Sequence, residues 1–195
     1  MKYHKNTIFL DVDGVINSLT HLYNREDTVF SEPTNPHIAG AYTIWVPEYM
    51  HSLVQAMEKS TNLYWLTTWR EKANEFVSPI LGTSQDIPVI TDGGPMRSVE
   101  WKFPACLPLA KALKANGEEI FWIEDFHGMT QKEHEDYLTY IDTDTKSEGV
   151  LLPQHLPEAL LSHLVDEGGY DGPMHVEAPT TVRTSRMGAR NFWIE

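Results

Sequence analysis

The sequence predicts an α/β protein with a three-layer, Rossmann-like parallel sheet, and three observations lead to this expectation. Short continuous apolar runs alternate with segments of helical periodicity, the pattern of strands covered by helices on both faces. Polar or acidic residues directly follow several of these runs. The chain of 195 residues can bury one sizeable core, so its length predicts one domain with a small insertion and a tail.

The first predicted strand ends at Leu10 and is followed by the most informative residues of the chain. Asp11 and Asp13 stand one residue apart, and Gly14 comes next. Alternate side chains of an extended chain point to the same side, so the two carboxylates converge at the strand end. Like charges in a partly buried place share a proton or bind a cation, and we therefore expect a divalent metal ion there.

Residues 18–46 show no regular periodicity and are interrupted by Pro33, Pro36 and Gly40. We interpret them as a β-hairpin flap that turns near Ala39 and Gly40. Since the segment begins just beyond the two aspartates, we expect a small flap-type cap that gates the site or excludes water from it.

The later elements are predicted from apolar residues at helical spacing or in uninterrupted runs. They are a helix over 47–59, a strand over 63–66 before Thr67 and Thr68, a helix over 70–81, a weak strand over 87–90, a helix from Trp101 to Asn116, a strand over 120–123 before Glu124 and Asp125, a strand over 137–142 and a helix over 157–165. Ligands of such sheets bind beyond the carboxyl ends of the strands, so we expect the polar residues to gather at that edge.

Composition narrows the function classes. The formal net charge of −13 argues against broad binding to nucleic-acid backbones. A single cysteine, Cys106, excludes an intrachain disulfide and suits a reducing compartment. We find no signal-peptide pattern and no run long enough to span a bilayer, so we expect a cytoplasmic protein with no membrane partner. Residues 1–167 are expected to form the domain, and 168–195 an extended C-terminal arm.

Four stretches of the chain occur in the order of a known motif set: Leu10-Asp11-Val12-Asp13-Gly14-Val15-Ile16-Asn17, Trp65-Leu66-Thr67-Thr68-Trp69, Trp101-Lys102-Phe103-Pro104-Ala105 and Trp122-Ile123-Glu124-Asp125. The set resembles the haloacid dehalogenase-like (HAD) hydrolase superfamily. It is similar in particular to HAD domains of small actinobacterial and phage proteins, including one described as a module of RNA-repair assemblies. The resemblance covers about residues 6–165 and implies the HAD fold.

This resemblance implies a Mg²⁺-dependent phosphomonoesterase that works through an aspartyl-phosphate. An aspartate is ionised at neutral pH and needs no base to activate it, so Asp11 is the expected nucleophile. Asp13 stands one step farther out, where it can protonate the leaving oxygen and later deprotonate water. The resemblance assigns Asp11, the main-chain carbonyl of Asp13, and Asp125 as ligands of Mg²⁺.

The remaining site residues are expected to bind the phosphoryl group or support its ligands. Thr67 offers a hydroxyl donor and is preferred to Thr68 because it comes first after the apolar run. Lys102 supplies positive charge. We expect Gly14, Thr68 and Asn17 to contact the substrate, because Gly14 permits close main-chain approach to phosphoryl oxygens. Glu124, where the family more often has aspartate, is expected in a supporting position that holds metal-bound water.

Two aromatic residues and several cations bear on the substrate. Trp45 and Trp69 could face the mouth of the site and stack a ring, although core or flap packing is the role we favour for each. A phosphorylated small molecule, a nucleotide or a nucleic-acid terminal phosphate is the expected partner. A local basic path for a nucleic-acid end would use the arginines Arg70, Arg97, Arg183, Arg186 and Arg190.

Two other functions fit the same motifs. A non-catalytic regulatory protein would keep the fold and bind a phosphorylated ligand, although a pure binding site has little need for Asp13. A phosphotransferase or mutase would use the same aspartyl-phosphate with an alcohol as the acceptor.

Two expectations concern residues outside these motifs. His127 is the one histidine expected near the site. Phe192 and Trp193 are expected to order the arm if they dock on the body or on a second subunit.

Overall fold

The computed structural model describes residues 5–24, 28–92, 100–125, 136–144 and 149–181. In chain order, the strands and α-helices are β1 (Asn6–Leu10), α1 (Leu19–Asn24), β2 (Thr28–Val29), β3 (Thr34–Ala39), β4 (Tyr42–Pro47), α2 (Glu48–Ser60), β5 (Asn62–Trp65), α3 (Ser78–Leu81), α4 (Lys102–Ala115), β6 (Glu119–Glu124), β7 (Thr139–Asp142), α5 (Glu158–His163) and β8 (Thr180–Thr181). A π-helical segment, Ala73–Val77, precedes α3, a 3₁₀ turn, Pro153–His155, precedes α5, and a second π-helical segment, Leu164–Gly168, follows α5.

Within the described residues, the central sheet has four parallel strands in the order β5-β1-β6-β7. The register pairs Leu10 of β1 with Trp65 on one side and with Ile123 on the other. The strands therefore end at the same edge of the sheet. The α/β class and the parallel, Rossmann-like sheet that the sequence predicts are confirmed.

Helices pack on both faces of this sheet because its strands are apolar on both sides. Ile8 and Leu10 belong to a cluster that contains the apolar face of α2, including Leu53. Phe9 points to the other face and joins a cluster with Cys106 of α4. The alternation of neighbouring β1 residues between two cores is the period of two expected of a strand. Cys106 is buried, and burial raises the pKa of its thiol to about 12, so it serves packing.

The hairpin, which we define as β3, β4 and the turn between them, is present where the sequence predicts it. Its strands pair antiparallel from Thr34 with Pro47 to Ala39 with Tyr42, and Gly40 in the turn has a φ of 63°. Left-handed backbone of this kind favours glycine. The interpretation of residues 18–46 as a hairpin alone is incomplete, because a short helix, α1, precedes it.

Two predicted elements differ from the sequence expectation. The weak strand over 87–90 is reduced to one bridge, in which the Trp65 amide donates to the Pro88 carbonyl and the Ile90 amide donates to the Trp65 carbonyl. Pro88 has no amide hydrogen, which limits a longer ladder. The helix predicted over 70–81 is confined to Ala73–Val77 and α3.

The described part of the predicted arm packs against the body. Tyr170 and Val176 are buried, and the Val176 amide and carbonyl both bond to the Gln154 side chain. β8 pairs with β2 in the segment that precedes the hairpin. Several expectations lie outside the described residues: those on Arg97, His127, Arg183, Arg186, Arg190, Phe192 and Trp193. Among the described helices, none has the length and apolar character needed to cross a membrane.

Candidate active site

The order of the strands creates a crevice between β1 and β6. The chain leaves β1 toward β5 on one side, whereas β6 is followed by β7 on the other. In open parallel sheets, such a reversal leaves room for a ligand beyond the carboxyl ends of the strands. Asp11 follows β1, Glu124 ends β6 and Asp125 comes next, so these three acids lie at the crevice.

Lys102, the first residue of α4, joins two of the acids. Its Nζ lies 2.9 Å from Asp11 Oδ2 and 2.6 Å from Glu124 Oε2, and all three residues are at least 96% buried. Burial by itself would lower the pKa of Lys102, but Asp11 and Glu124 outweigh burial and raise it. Lys102 therefore stays charged between the two carboxylates.

The acids outnumber the lysine. Ligand oxygens of Asp11, Glu124 and Asp125 lie within 4.8 Å of one another, and we call these three residues with Lys102 the acidic cluster. Burial, then the charge of Asp11, raises the pKa of Glu124 well above its usual range, and the same two causes raise the pKa of Asp125 to about 6. Repulsion between neighbouring carboxylates is thus incompletely balanced.

Two oxygens of the acidic cluster are buried without a hydrogen-bond donor from any described residue: Asp11 Oδ1 and Glu124 Oε1. An orphaned buried carboxylate oxygen is costly unless a cation or donor satisfies it. Hard oxygens with excess negative charge fit Mg²⁺, which uses one or two carboxylates together with water and phosphate. The donor set therefore fits the expected metal, and it includes an oxygen of Glu124 as well as those of Asp11 and Asp125.

Gly14 allows Asp125 to approach the loop after β1. Its φ is 72°, and a Cβ on Gly14 would overlap the Asp125 carboxylate. The Gly14 carbonyl accepts a hydrogen bond of 2.6 Å from the Thr143 hydroxyl, and its amide donates to the Asn17 carbonyl. A side chain at position 14 would push Asp125 out of the crevice, which explains glycine here in terms of the acidic cluster.

Asp13 has hydrogen-bond partners different from those of Asp11. Its Oδ1 accepts a 2.8 Å hydrogen bond from Asn17 Nδ2, and its Oδ2 accepts one of 2.9 Å from Trp69 Nε1. Burial raises the pKa of Asp13, although both hydrogen bonds oppose this rise. The two aspartates after β1 are therefore in different surroundings: Asp11 contacts a lysine, and Asp13 contacts an amide and an indole.

The two threonines after β5 also differ. Thr67 is fully buried, and its hydroxyl oxygen accepts a 3.3 Å hydrogen bond from the Trp69 amide. Thr68 is partly exposed and lines the cavity in front of the aspartates. The sequence expectation preferred Thr67 as phosphoryl donor; the structure brings Thr68 to the cavity wall and Thr67 to the base of the loop.

A cavity of about 880 Å³ opens over the acidic cluster. The predicted site residues Asp11, Asp13, Asn17, Thr68, Lys102 and Asp125 line it, together with residues of α1, β4 and the loop after β5. Tyr23, Tyr42 and Trp69 form an aromatic rim, and Lys72 adds a cation there. Trp45 instead stacks on His21, with ring centroids 6.0 Å apart. Packing was the favoured role for both tryptophans, and Trp69 differs from that expectation because it lines the cavity.

Sequence reasoning missed Tyr23, Tyr42 and Lys72. Tyr23 lies on α1, which the sequence does not predict, and Tyr42 lies in β4 of the hairpin, where the sequence gives no sign of a contact with the site. Arg70, which was expected in a basic path for a nucleic-acid end, has contacts within the protein. It bonds Asp92 at 3.1 Å and lies over the Trp101 ring, 5.4 Å from its centroid. Arg70 thus joins the loop after β5 to the residue before Lys102.

Comparison of the chain with protein-family models, with curated proteins and with solved structures finds no match.

Proposed function

We propose that this protein is a Mg²⁺-dependent phosphomonoesterase of the HAD type, with the hairpin and α1 as its small cap. The observation that carries the proposal is the division of labour between Asp11 and Asp13. One carboxylate contacts Lys102 in the acidic cluster, and the other is held apart by Asn17 and Trp69. Phosphoryl transfer through an enzyme carboxylate needs just such a pair, one group to attack and one to carry a proton.

In the first step, an oxygen of Asp11 attacks the phosphorus of the bound ester. A new bond forms between phosphorus and Asp11, and the bond from phosphorus to the leaving oxygen breaks. Asp13 donates its proton to that oxygen, so an alcohol leaves and an aspartyl-phosphate remains. Burial raises the pKa of Asp13 and so favours the protonated form that this step consumes.

In the second step, a water molecule attacks the phosphorus of the aspartyl-phosphate. Asp13, now ionised, takes a proton from the water, the bond between phosphorus and Asp11 breaks, and inorganic phosphate leaves. Lys102 lies 2.9 Å from Asp11 Oδ2 and holds this carboxylate in place throughout. Its charge also favours the negative phosphoryl group at the strand ends.

Asp11 and Asp125, with the main-chain carbonyl of Asp13, would hold Mg²⁺, and Glu124 lies close enough to contribute a ligand oxygen or bind its water. When bound, the ion neutralises part of the excess negative charge and holds phosphoryl oxygens against the site. Thr68 lines the cavity and offers its hydroxyl to the phosphoryl group. Thr67, which is fully buried, is the donor that the motif resemblance favours.

The substrate that fits the cavity best combines a phosphomonoester with a planar ring, as in a nucleotide or a nucleic-acid end. Tyr23 and Tyr42 present exposed rings at the rim, where a base can stack. Lys72 offers a cation for a second anionic group of the same molecule. The net charge of −13 disfavours long nucleic acids and therefore favours a nucleotide or a short terminal segment.

Turnover of p-nitrophenyl phosphate, measured with Mg²⁺ and with EDTA, tests the proposal. We expect turnover with Mg²⁺, and a loss of about 10⁴-fold or more in kcat for Asp11→Asn, as for other deleted nucleophiles. Asp13→Ala should lose kcat with this ester, because hydrolysis of the aspartyl-phosphate needs Asp13 as the base. It should retain most Mg²⁺ affinity in calorimetry, because its side chain bonds Asn17 and Trp69.

Three results would decide against this function. Absence of turnover, with no further change on Asp11→Asn, would favour a non-catalytic protein that binds a phosphorylated ligand. Transfer of the phosphoryl group to an added alcohol in preference to water would identify a phosphotransferase. Equal turnover in EDTA would exclude the metal. A panel of nucleotides, phosphorylated sugars and 5′- or 3′-phosphorylated oligonucleotides then identifies the substrate.

A further inference from the structure

We propose that the hairpin positions the Asp13 carboxylate for proton transfer, with Asn17 and Trp69 as the positioning residues. The inference rests on the proposed phosphatase function and deepens it, because it gives the hairpin a part in the chemical step beyond covering the cavity. It is carried by two chains of contacts that start at β4 and end on the two oxygens of Asp13.

The first chain runs through Asn17. The Trp45 amide of β4 donates a 2.8 Å hydrogen bond to Asn17 Oδ1, and Asn17 Nδ2 donates one of 2.8 Å to Asp13 Oδ1. A backbone amide can only donate, so it fixes which end of the Asn17 side chain is the oxygen and turns the NH₂ group toward Asp13. The Ser18 amide in turn donates to the Trp45 carbonyl at 2.8 Å. The main chain of Trp45 therefore holds both the Asn17 side chain and the residue that follows Asn17.

The second chain runs through Trp69. Its Nε1 donates a 2.9 Å hydrogen bond to Asp13 Oδ2, and its ring meets the Tyr42 ring of β4 edge to face, with centroids 5.5 Å apart. An indole N–H is a donor only and the ring is rigid, so the position of the ring sets the direction of this bond. Tyr42 and Trp69 both line the cavity, so this chain of contacts is open to a ligand bound there.

Together the two donors fix the plane of the Asp13 carboxylate. With one donor removed, the carboxylate can rotate about its terminal torsion, which is broad for aspartate. A proton donor must lie within hydrogen-bond reach of the leaving oxygen, and a misplacement of about 1 Å can cost about a hundredfold in rate. That loss falls on esters whose leaving group needs the proton, because a stable phenolate leaves without one.

The dependence of kcat/KM on the leaving group tests this inference, since kcat/KM covers the steps up to departure of that group. Trp69→Phe keeps a ring but removes the donor. We expect kcat/KM to fall about ten- to a hundredfold for an alkyl phosphate and less than about threefold for p-nitrophenyl phosphate. Trp122→Phe is the matched control: its buried indole N–H has no hydrogen-bond partner among the described residues, so both esters should respond alike.

A second variant and a second readout guard against misfolding. Tyr42 is 63% exposed, so Tyr42→Ala should fold and should show the same selective loss at smaller size. In ¹H–¹⁵N spectra, Asp13→Ala should move the Trp69 indole N–H resonance upfield, whether or not the protein is active. An equal loss with both esters, no loss in Trp69→Phe, or an unmoved indole resonance would overturn the inference. Failure of the wild-type protein to hydrolyse either ester would instead overturn the proposed function.

Discussion

The acidic cluster and the rim of the cavity lie side by side but differ in their contact with water. Asp11, Lys102 and Glu124 are each at least 96% buried and joined by contacts of 2.9 and 2.6 Å. At the rim, Tyr23 and Tyr42 are 74% and 63% exposed. Changes in the acidic cluster should therefore affect stability and chemistry together, whereas changes at the rim should affect substrate choice and leave the fold intact.

The largest effect on stability is expected for Lys102→Met. Removal of one partner leaves buried carboxylates without their cation, which costs about 3–5 kcal/mol when a buried pair is broken. Urea unfolding without Mg²⁺ at pH 7.5 measures the loss. The cost should shrink at pH 5, where Glu124 and Asp125 can take up protons because their pKa values are raised.

Lys72→Met is the control for this change. Lys72 is exposed at the cavity wall, so its replacement should alter the unfolding free energy by no more than about 0.5 kcal/mol. If Lys102→Met and Lys72→Met lower the unfolding free energy equally, the buried lysine does not hold the acidic cluster together. The cluster and the rim would then not differ in their effect on stability.

The parts of this arrangement that the sequence predicts are those set by local pattern. The apolar run through Leu10 and the run before Glu124 identify two neighbouring strands, because a strand buried on both faces has no polar positions. The approach of Lys102 to Asp11 was expected from the family resemblance and not from local pattern. Glu124 was expected in a supporting position, whereas its contact of 2.6 Å with Lys102 depends on where α4 begins relative to β6.

The contacts of Asp13 show what local pattern cannot supply. Trp69 is 56 residues away from Asp13 in the chain, and its indole reaches Asp13 because β5 pairs with β1, so both residues follow neighbouring strand ends. Asn17 is expected to contact the substrate and it lines the cavity, but the hydrogen bonds of its side chain with Asp13 and the Trp45 amide could not be predicted from the sequence. Tyr23 was missed because α1 has only six residues, too few for a clear helical period.

A smaller effect on stability is expected from a change of pH. It depends on Asp125 of the acidic cluster and not on the residues of the rim. Burial and the charge of Asp11 raise the pKa of Asp125 from 3.8 to about 6. Between these values, the folded protein keeps a proton that the unfolded chain releases, so stability falls as pH rises through this window and levels off above it. Mg²⁺ binds the ionised form and should raise Tm by more at pH 7.5 than at pH 5.

Asp125→Asn isolates this contribution from the titration of other carboxylates. Tm measured in EDTA from pH 4 to pH 8 should fall less steeply in this variant than in the wild-type protein, and Mg²⁺ should raise it less. If Tm of the wild-type protein and Tm of Asp125→Asn change equally between pH 4 and pH 8, the pKa of Asp125 is not raised in the folded protein.

The smallest effect on the fold is expected for Tyr23→Ala at the rim. Because the side chain is 74% exposed, the unfolding free energy should change by no more than about 0.5 kcal/mol. If the ring stacks on a base, the loss of about 1 kcal/mol raises KM for a nucleoside monophosphate about fivefold. KM for glycerol phosphate, which has no ring, should stay unchanged, and Tyr23→Phe should behave as the wild-type protein. Equal increases for both substrates would show that Tyr23 shapes access to the cavity and does not recognise a ring, which would move ring selectivity to Tyr42 and Trp69.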